Sequence, residues 1–88
     1  MSGPRYSVEF RADVQEELAY LLVGARDREY LSECVVRFDA ALRDDPYAVG
    51  EGRDSRDARL LFEGGLTALY RVRPAERKVV VLAVARAR

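Results

Sequence analysis

Apolar positions recur along this chain with two different periods. In "RYSVEF", residues 5–10, Tyr6, Val8 and Phe10 alternate with Ser7 and Glu9, the period of two that marks a half-buried strand. After it the period lengthens. Asp13 offers a helix cap with Glu16 three residues on, and Val14, Leu18, Leu21, Leu22 and Ala25 follow along one helical face until Gly24 ends the segment. Asp27 opens a second helical pattern with Tyr30, Leu31, Cys34, Val35, Phe38, Ala41 and Leu42 on one stripe. Asp45-Pro46 stops it, because the residue before proline is pushed out of helical geometry. So short a connection predicts an antiparallel helical hairpin.

Residues 46–58, "PYAVGEGRDSRDA", carry proline, two glycines and both signs of charge without an apolar period, and read as a surface loop. Three strands follow, Arg59 to Glu63, Leu66 to Arg73 and Lys78 to Ala85, joined by a glycine-rich hairpin at Gly64-Gly65 and a turn around Pro74 to Arg77. The last strand is apolar throughout from Val79 to Ala85, which places it inside the sheet. The first strand then falls beside it. The expected fold is α+β, a single domain over residues 1–88. Its sheet has four antiparallel strands in the order 1-4-3-2, with the helical hairpin on one face and β-α-α-β-β-β connectivity.

Alternation assigns faces. In the third strand Leu66, Ala68, Tyr70 and Val72 form an apolar row, and Thr67, Leu69, Arg71 and Arg73 a mixed one. The apolar row is expected to face the helices, since unpartnered arginines in the core cost several kcal/mol apiece. In the second strand Leu60 and Phe62 are expected inward, and Arg59, Leu61 and Glu63 outward. The open face then gathers Arg59, Arg71 and Arg73 around exposed Leu61 and Leu69. Such a face suits an acidic amphipathic peptide or RNA. A plainly solvated sheet surface has a similar composition.

Charge sharpens this picture. The chain is formally neutral, but residues 1–52 hold six basic against eleven acidic side chains and residues 53–88 nine against four. The basic half is the half that carries the strands, so an anionic partner is expected there. With no histidine, imidazole-based acid–base and nucleophile chemistry is excluded, and the single Cys34 has no disulfide partner in the chain. The longest apolar run is far short of the roughly 20 residues of a spanning helix. These features predict a cytoplasmic protein with no cofactor and no metal site.

The order of elements resembles the RelE/ParE toxins of bacterial type II toxin–antitoxin systems. The resemblance runs over residues 6–88. It rests on "ALYRV" after the glycine hairpin, "KVVVLAV" as an interior strand and the basic "ARAR" behind it. It implies a toxin neutralised by a cognate antitoxin bound across the open sheet face and the outer side of the helices, with antitoxin contacts at Leu61, Leu69, Arg71 and Arg73. The implied target is either DNA gyrase or ribosome-bound mRNA. Target or nucleic-acid contacts fall on Arg59, Arg71, Arg73, Arg86 and Arg88. Members that cleave mRNA usually place an arginine where this chain has Thr67, and many carry a further tail with a histidine or tyrosine where this sequence stops. The catalytic residues are therefore left unassigned. Two alternatives stay open: a ribosome-dependent mRNA endonuclease proper, or a non-toxic homologue acting as a protein-interaction domain.

Overall fold

The opening strand and helical hairpin form where their periods predict. In the computed structural model, which describes residues 5–53 and 55–86, strand β1 (Ser7–Phe10) leads into α1 (Ala12–Gly24) and α2 (Arg28–Asp44). Asp27 is the N-cap of α2 and Asp45 its C-cap, so the proline stop works as expected. The start of α1 differs. Arg11 is its N-cap, while Asp13 lies inside the first turn and pairs with Arg11 at 2.8 Å.

The segment expected as a loop is partly strand. A short β2 (Glu51–Arg53) pairs antiparallel with β3 (Ser55–Glu63), followed by β4 (Leu66–Arg73), a 3-10 turn at Pro74–Glu76, and β5 (Lys78–Arg86). Gly50 makes the entry to β2 possible. Its φ is +72°, and a Cβ there would stand 2.7 Å from the Tyr70 hydroxyl and 2.8 Å from the Leu60 carbonyl oxygen.

The sheet has five strands in the order β1-β5-β4-β3-β2. The expected sequence of neighbours holds for the four strands foreseen. The expectation of an antiparallel sheet throughout does not, because β1 runs parallel to β5, with Val8 opposite Val79 and Phe10 opposite Val81. The cause is parity. The helical hairpin returns the chain to the end it left, and β2, unseen in the sequence, adds one further reversal. Every later strand is thereby flipped relative to β1.

The core lies between the sheet and the helices, chiefly α2. Leu31, Cys34, Phe38 and Leu42 of α2 pack on Leu66, Ala68, Tyr70 and Val72 of β4 and on Val79, Val81 and Val84 of β5. The inward row of β4 is thus the one its sequence indicates. In β5 the pairing moves from Leu69 opposite Ala83 to Tyr70 opposite Val81, so Leu82 is an extra residue and the inward positions become 79, 81 and 84. At the β3–β4 hairpin, Gly64 (φ +57°) tucks under α2, where a Cβ would come within 2.7 Å of Cys34 Sγ. No described helix is long and apolar enough to cross a membrane.

Candidate functional site

Cross-strand pairing determines what the face away from the helices displays. Opposite residues of antiparallel neighbours share a face. Phe62, Thr67 and Ala85 form one row across β3, β4 and β5, and Leu60, Leu69 and Ala83 form the next. Ala58, Arg71 and Val80 follow, then Arg73 beside Lys78. The first two rows are a largely apolar floor, bordered on the β3 side by Phe62, which is 58% exposed, and by Leu60 with the exposed Glu51 of β2 beyond it. The other end is basic. Among the described residues Arg71 is exposed and has no ion pair, Arg73 lies 3.4 Å from Glu76, and Lys78 donates to Glu9 at 3.0 Å.

This map corrects the expected face of β3. Leu61 is buried, opposite Ala68, and Arg59 sits opposite Tyr70 on the helix side, whereas Leu60 and Phe62 face outward. A shift of one residue exchanges the two faces of a strand completely. Both rows of β3 carry leucine, so apolar alternation alone does not choose between them. Hydrogen bonding does. The Arg59 guanidinium donates to the carbonyl oxygens of Tyr47, Val49, Gly50 and Arg56 at 3.1–3.3 Å, and Glu63 accepts from Arg37 at 3.1 Å. Two charges on the inward row are therefore satisfied at the margins of the core, which removes the reason for expecting them outside.

Of the five arginines expected to act together, the four described ones are consequently separated. Arg71 and Arg73 share the open face, while Arg59 is bound into the 46–50 segment on the other side. Arg86 stands opposite Leu66 and reaches to the turn between the helices, where its Nη2 lies 2.6 and 2.8 Å from the two carboxylate oxygens of Asp27. That hydrogen bond holds the Asp27 carboxyl below the usual range. Arg88 lies outside the described residues. Of the expected antitoxin contacts, Leu69, Arg71 and Arg73 are on the open face and Leu61 is not. Phe62 and Leu60 are the surface residues that alternation missed. The signal that could have found them is the glycine hairpin: with Gly64-Gly65 as its tip, Glu63 faces Leu66, which forces Leu61 opposite inward Ala68.

Arg59 and Arg71 differ in a measurable way. Arg59→Ala deprives four carbonyls of their donor and is expected to cost about 2 kcal/mol, a melting point lower by roughly 8–16 °C, whereas Arg71→Ala is expected to change stability by no more than about 0.5 kcal/mol. Thermal unfolding of the two variants compares them directly.

Beside Arg59, the Tyr47 hydroxyl donates to Asp57 at 2.6 Å, and the Arg56 guanidinium lies 4.4 Å above the Tyr47 ring. Burial, then the Asp57 carboxylate, pushes the Tyr47 phenol up to about 12. Folding raises this pKa, so the stability it contributes is complete below the ordinary tyrosine value of about 10 and is lost as pH climbs through the folded value. The parent is therefore expected to lose stability more steeply than Tyr47→Phe over that alkaline interval in denaturant titrations. The ring is covered by Arg56 and is no free platform for a base.

Chemically, the open face offers positive charge at one end and a hydroxyl, Thr67, near the other. Thr67 and Arg71 are four residues apart on one strand, roughly 13 Å. A phosphate at Thr67 is beyond the reach of Arg71, and Arg86 projects from the opposite side of the sheet.

No family model and no curated protein matches the sequence. Solved structures do match. The RelBE2 toxin–antitoxin complex of Mycobacterium tuberculosis contains a chain 26% identical to this one, with a TM-score of 0.75, covering 97% of this chain and 100% of that one. The chain is a structural relative of the RelE toxins. The isolated E. coli RelE toxin is 22% identical over 94% of this chain and 85% of its own, with a TM-score of 0.66. The toxin–antitoxin complex of E. coli RelBE matches at 24% identity and a TM-score of 0.62, over 94% of this chain and 98% of that one. The RelE-like resemblance expected from the order of elements is thus found in the fold, over nearly the whole length of the chain.

Proposed function

We propose that this chain is the toxin of a type II toxin–antitoxin pair and that its open sheet face receives the antitoxin. The observation that carries the reading is the make-up of that face on a RelE-like fold: an apolar floor of Phe62, Leu60, Leu69, Ala83 and Ala85 running into Arg71 and Arg73. An amphipathic antitoxin segment would lay apolar side chains over the floor and acidic ones against the arginines. Two of the structural relatives are toxin–antitoxin complexes, which supports a partner of this kind.

A protein target such as DNA gyrase suits the face better than mRNA. Cleavage through a 2′-hydroxyl needs positive charge at the scissile phosphate and a proton donor and acceptor within about 3 Å. The row of Phe62, Thr67 and Ala85 supplies neither charge nor a group that titrates near neutral pH. Mildly basic contacts around an apolar floor favour a protein surface.

Induction of the chain in a bacterial host tests the reading, alone and together with any small acidic protein that a neighbouring gene encodes. Growth arrest on induction, relieved by that neighbour, is the expected result. With purified protein, inhibition of gyrase supercoiling without cleavage of ribosome-bound mRNA is expected. Unimpaired growth at high expression would overturn the toxin assignment, and mRNA cleavage lost on Arg86→Ala would redirect it to the endonuclease.

A further inference from the structure

Strand pairing gathers arginine along one end of the sheet. Ser7 at the start of β1 lies opposite Lys78 at the start of β5, Lys78 lies opposite Arg73 at the end of β4, and Ala58, near the start of β3, lies opposite Arg71. These registers bring Arg5, Arg77, Arg73 and Arg56 to the same end of four neighbouring strands, with Lys78 and Arg71 just inside it. The Arg77 Nε donates to the Arg5 carbonyl oxygen at 2.9 Å, so the first two are direct neighbours. All five arginines are exposed. Glu76 pairs with Arg73 and Glu9 with Lys78, whereas Arg5, Arg56, Arg71 and Arg77 have no ion pair among the described residues. Of the carboxylates nearby, Asp57 accepts from the Tyr47 hydroxyl, and Asp44 stands at the end of α2, on the helix side. The opposite end of the sheet is balanced. There Arg86 pairs with Asp27, Arg37 with Glu63 and Arg11 with Asp13.

We infer that this basic edge binds the phosphate backbone of double-stranded DNA, without reading its sequence. Three strand spacings of about 4.8 Å make the edge about 14 Å long, the axial rise of about four nucleotides in one strand of DNA. The planar fork of arginine suits phosphate oxygens. The other occupants fit less well. A single strand binds by stacking its bases on open rings, and here the rings are taken: the Arg77 guanidinium lies 5.1 Å from the centroid of Tyr6, and that of Arg56 4.4 Å from the centroid of Tyr47. An amphipathic acidic protein needs apolar contacts, but the large exposed apolar side chains are Phe62, at the far end of the open face, and Tyr20, Val23, Tyr30 and Val36 on the helices. Double-stranded RNA is held by contacts spread over about 16 base pairs, far beyond an edge of this length.

About four phosphate contacts make a weak complex, with a dissociation constant of about 10 µM at low salt. Arg71 and Arg73 also border the apolar floor, so a protein seated on that floor would remove two of the contacts. The inference does not rest on the toxin assignment: DNA binding by the chain alone and growth arrest are separate measurements and fail separately.

Fluorescence anisotropy of a labelled 20-base-pair DNA duplex, titrated with the full chain, tests it. Affinity is expected to be indifferent to sequence and to fall roughly 100-fold between 50 and 200 mM salt, as about four released counterions require. The double variant Arg5→Glu, Arg71→Glu should bind about tenfold more weakly or worse, with the salt slope reduced by about two. Arg26→Glu, exposed at the turn between the helices, should bind like the parent. Circular dichroism establishes that both variants are folded, as expected for changes at exposed positions. Absence of binding at 50 mM salt overturns the inference, as does binding insensitive to salt, or equal losses in the two variants. Tighter binding of the matching single strand, of the RNA duplex, of a polyglutamate peptide or of phosphatidylserine vesicles overturns it too, and assigns the edge to that ligand.

Discussion

Gly50→Ala is expected to lower the melting temperature by roughly 15 °C, while Gly24→Ala leaves it unchanged or slightly raised. Gly50 has φ +72°, where a side chain is strained, and its Cβ would stand 2.8 Å from a backbone oxygen, Leu60 O, which cannot swing aside. Left-handed strain of about 1–2 kcal/mol adds to overpacking of about 1–3 kcal/mol, a total of about 3 kcal/mol. The damage also spreads. The Tyr70 hydroxyl, whose single proton lies within reach of Pro46 O at 2.7 Å and Val49 O at 2.9 Å, and the Arg59 guanidinium are both held by the 46–50 segment. At Gly24 a Cβ meets nothing within 4 Å. Differential scanning calorimetry of the two variants decides the matter, and an unchanged melting point for Gly50→Ala would show that the segment can leave Tyr70 without cost.

Phe62→Asp is expected to separate binding from folding. Phe62 is 58% exposed at the border of the open face, so its replacement should alter stability by no more than about 0.5 kcal/mol. Buried against an antitoxin, an aromatic anchor of this kind contributes at least about 2 kcal/mol, so affinity should fall about 30-fold or more, with the new carboxylate opposing an acidic partner. Titration of the folded variant with the product of an acidic neighbouring gene that relieves the growth arrest measures the first effect and thermal unfolding the second. Should the variant bind that product as tightly as the parent does, the open face is not where the antitoxin docks. Leu61→Asp makes the contrast, because the buried Leu61 is expected to cost the fold itself.

Several features of this protein were legible before any coordinates. Period and punctuation located β1, both helices, the glycine hairpin and the last two strands, because each of those signals is local: a cap, a proline, a pair of glycines, an alternating row. The inward row of β4 was legible for the same reason, since one of its two rows is wholly apolar. The order of the four strands followed from the continuous apolar run of β5, and the order and spacing of the elements already pointed to the RelE/ParE toxins.

Only the tertiary structure decided the rest. Strand β2 has three residues with no apolar member, and it exists because Glu51 and Gly52 find hydrogen-bonding partners on β3; by adding one reversal it made β1 parallel to β5. The face of β3 depended on whether Arg59 and Glu63 could be satisfied indoors, which the carbonyls of residues 46–50 and the Arg37 side chain determine from a distance in sequence. Arg86 was drawn away from Arg71 and Arg73 by Asp27, 59 residues earlier. A chain writes its local periods in its own order of residues, whereas the partners that quiet a charge are chosen in space.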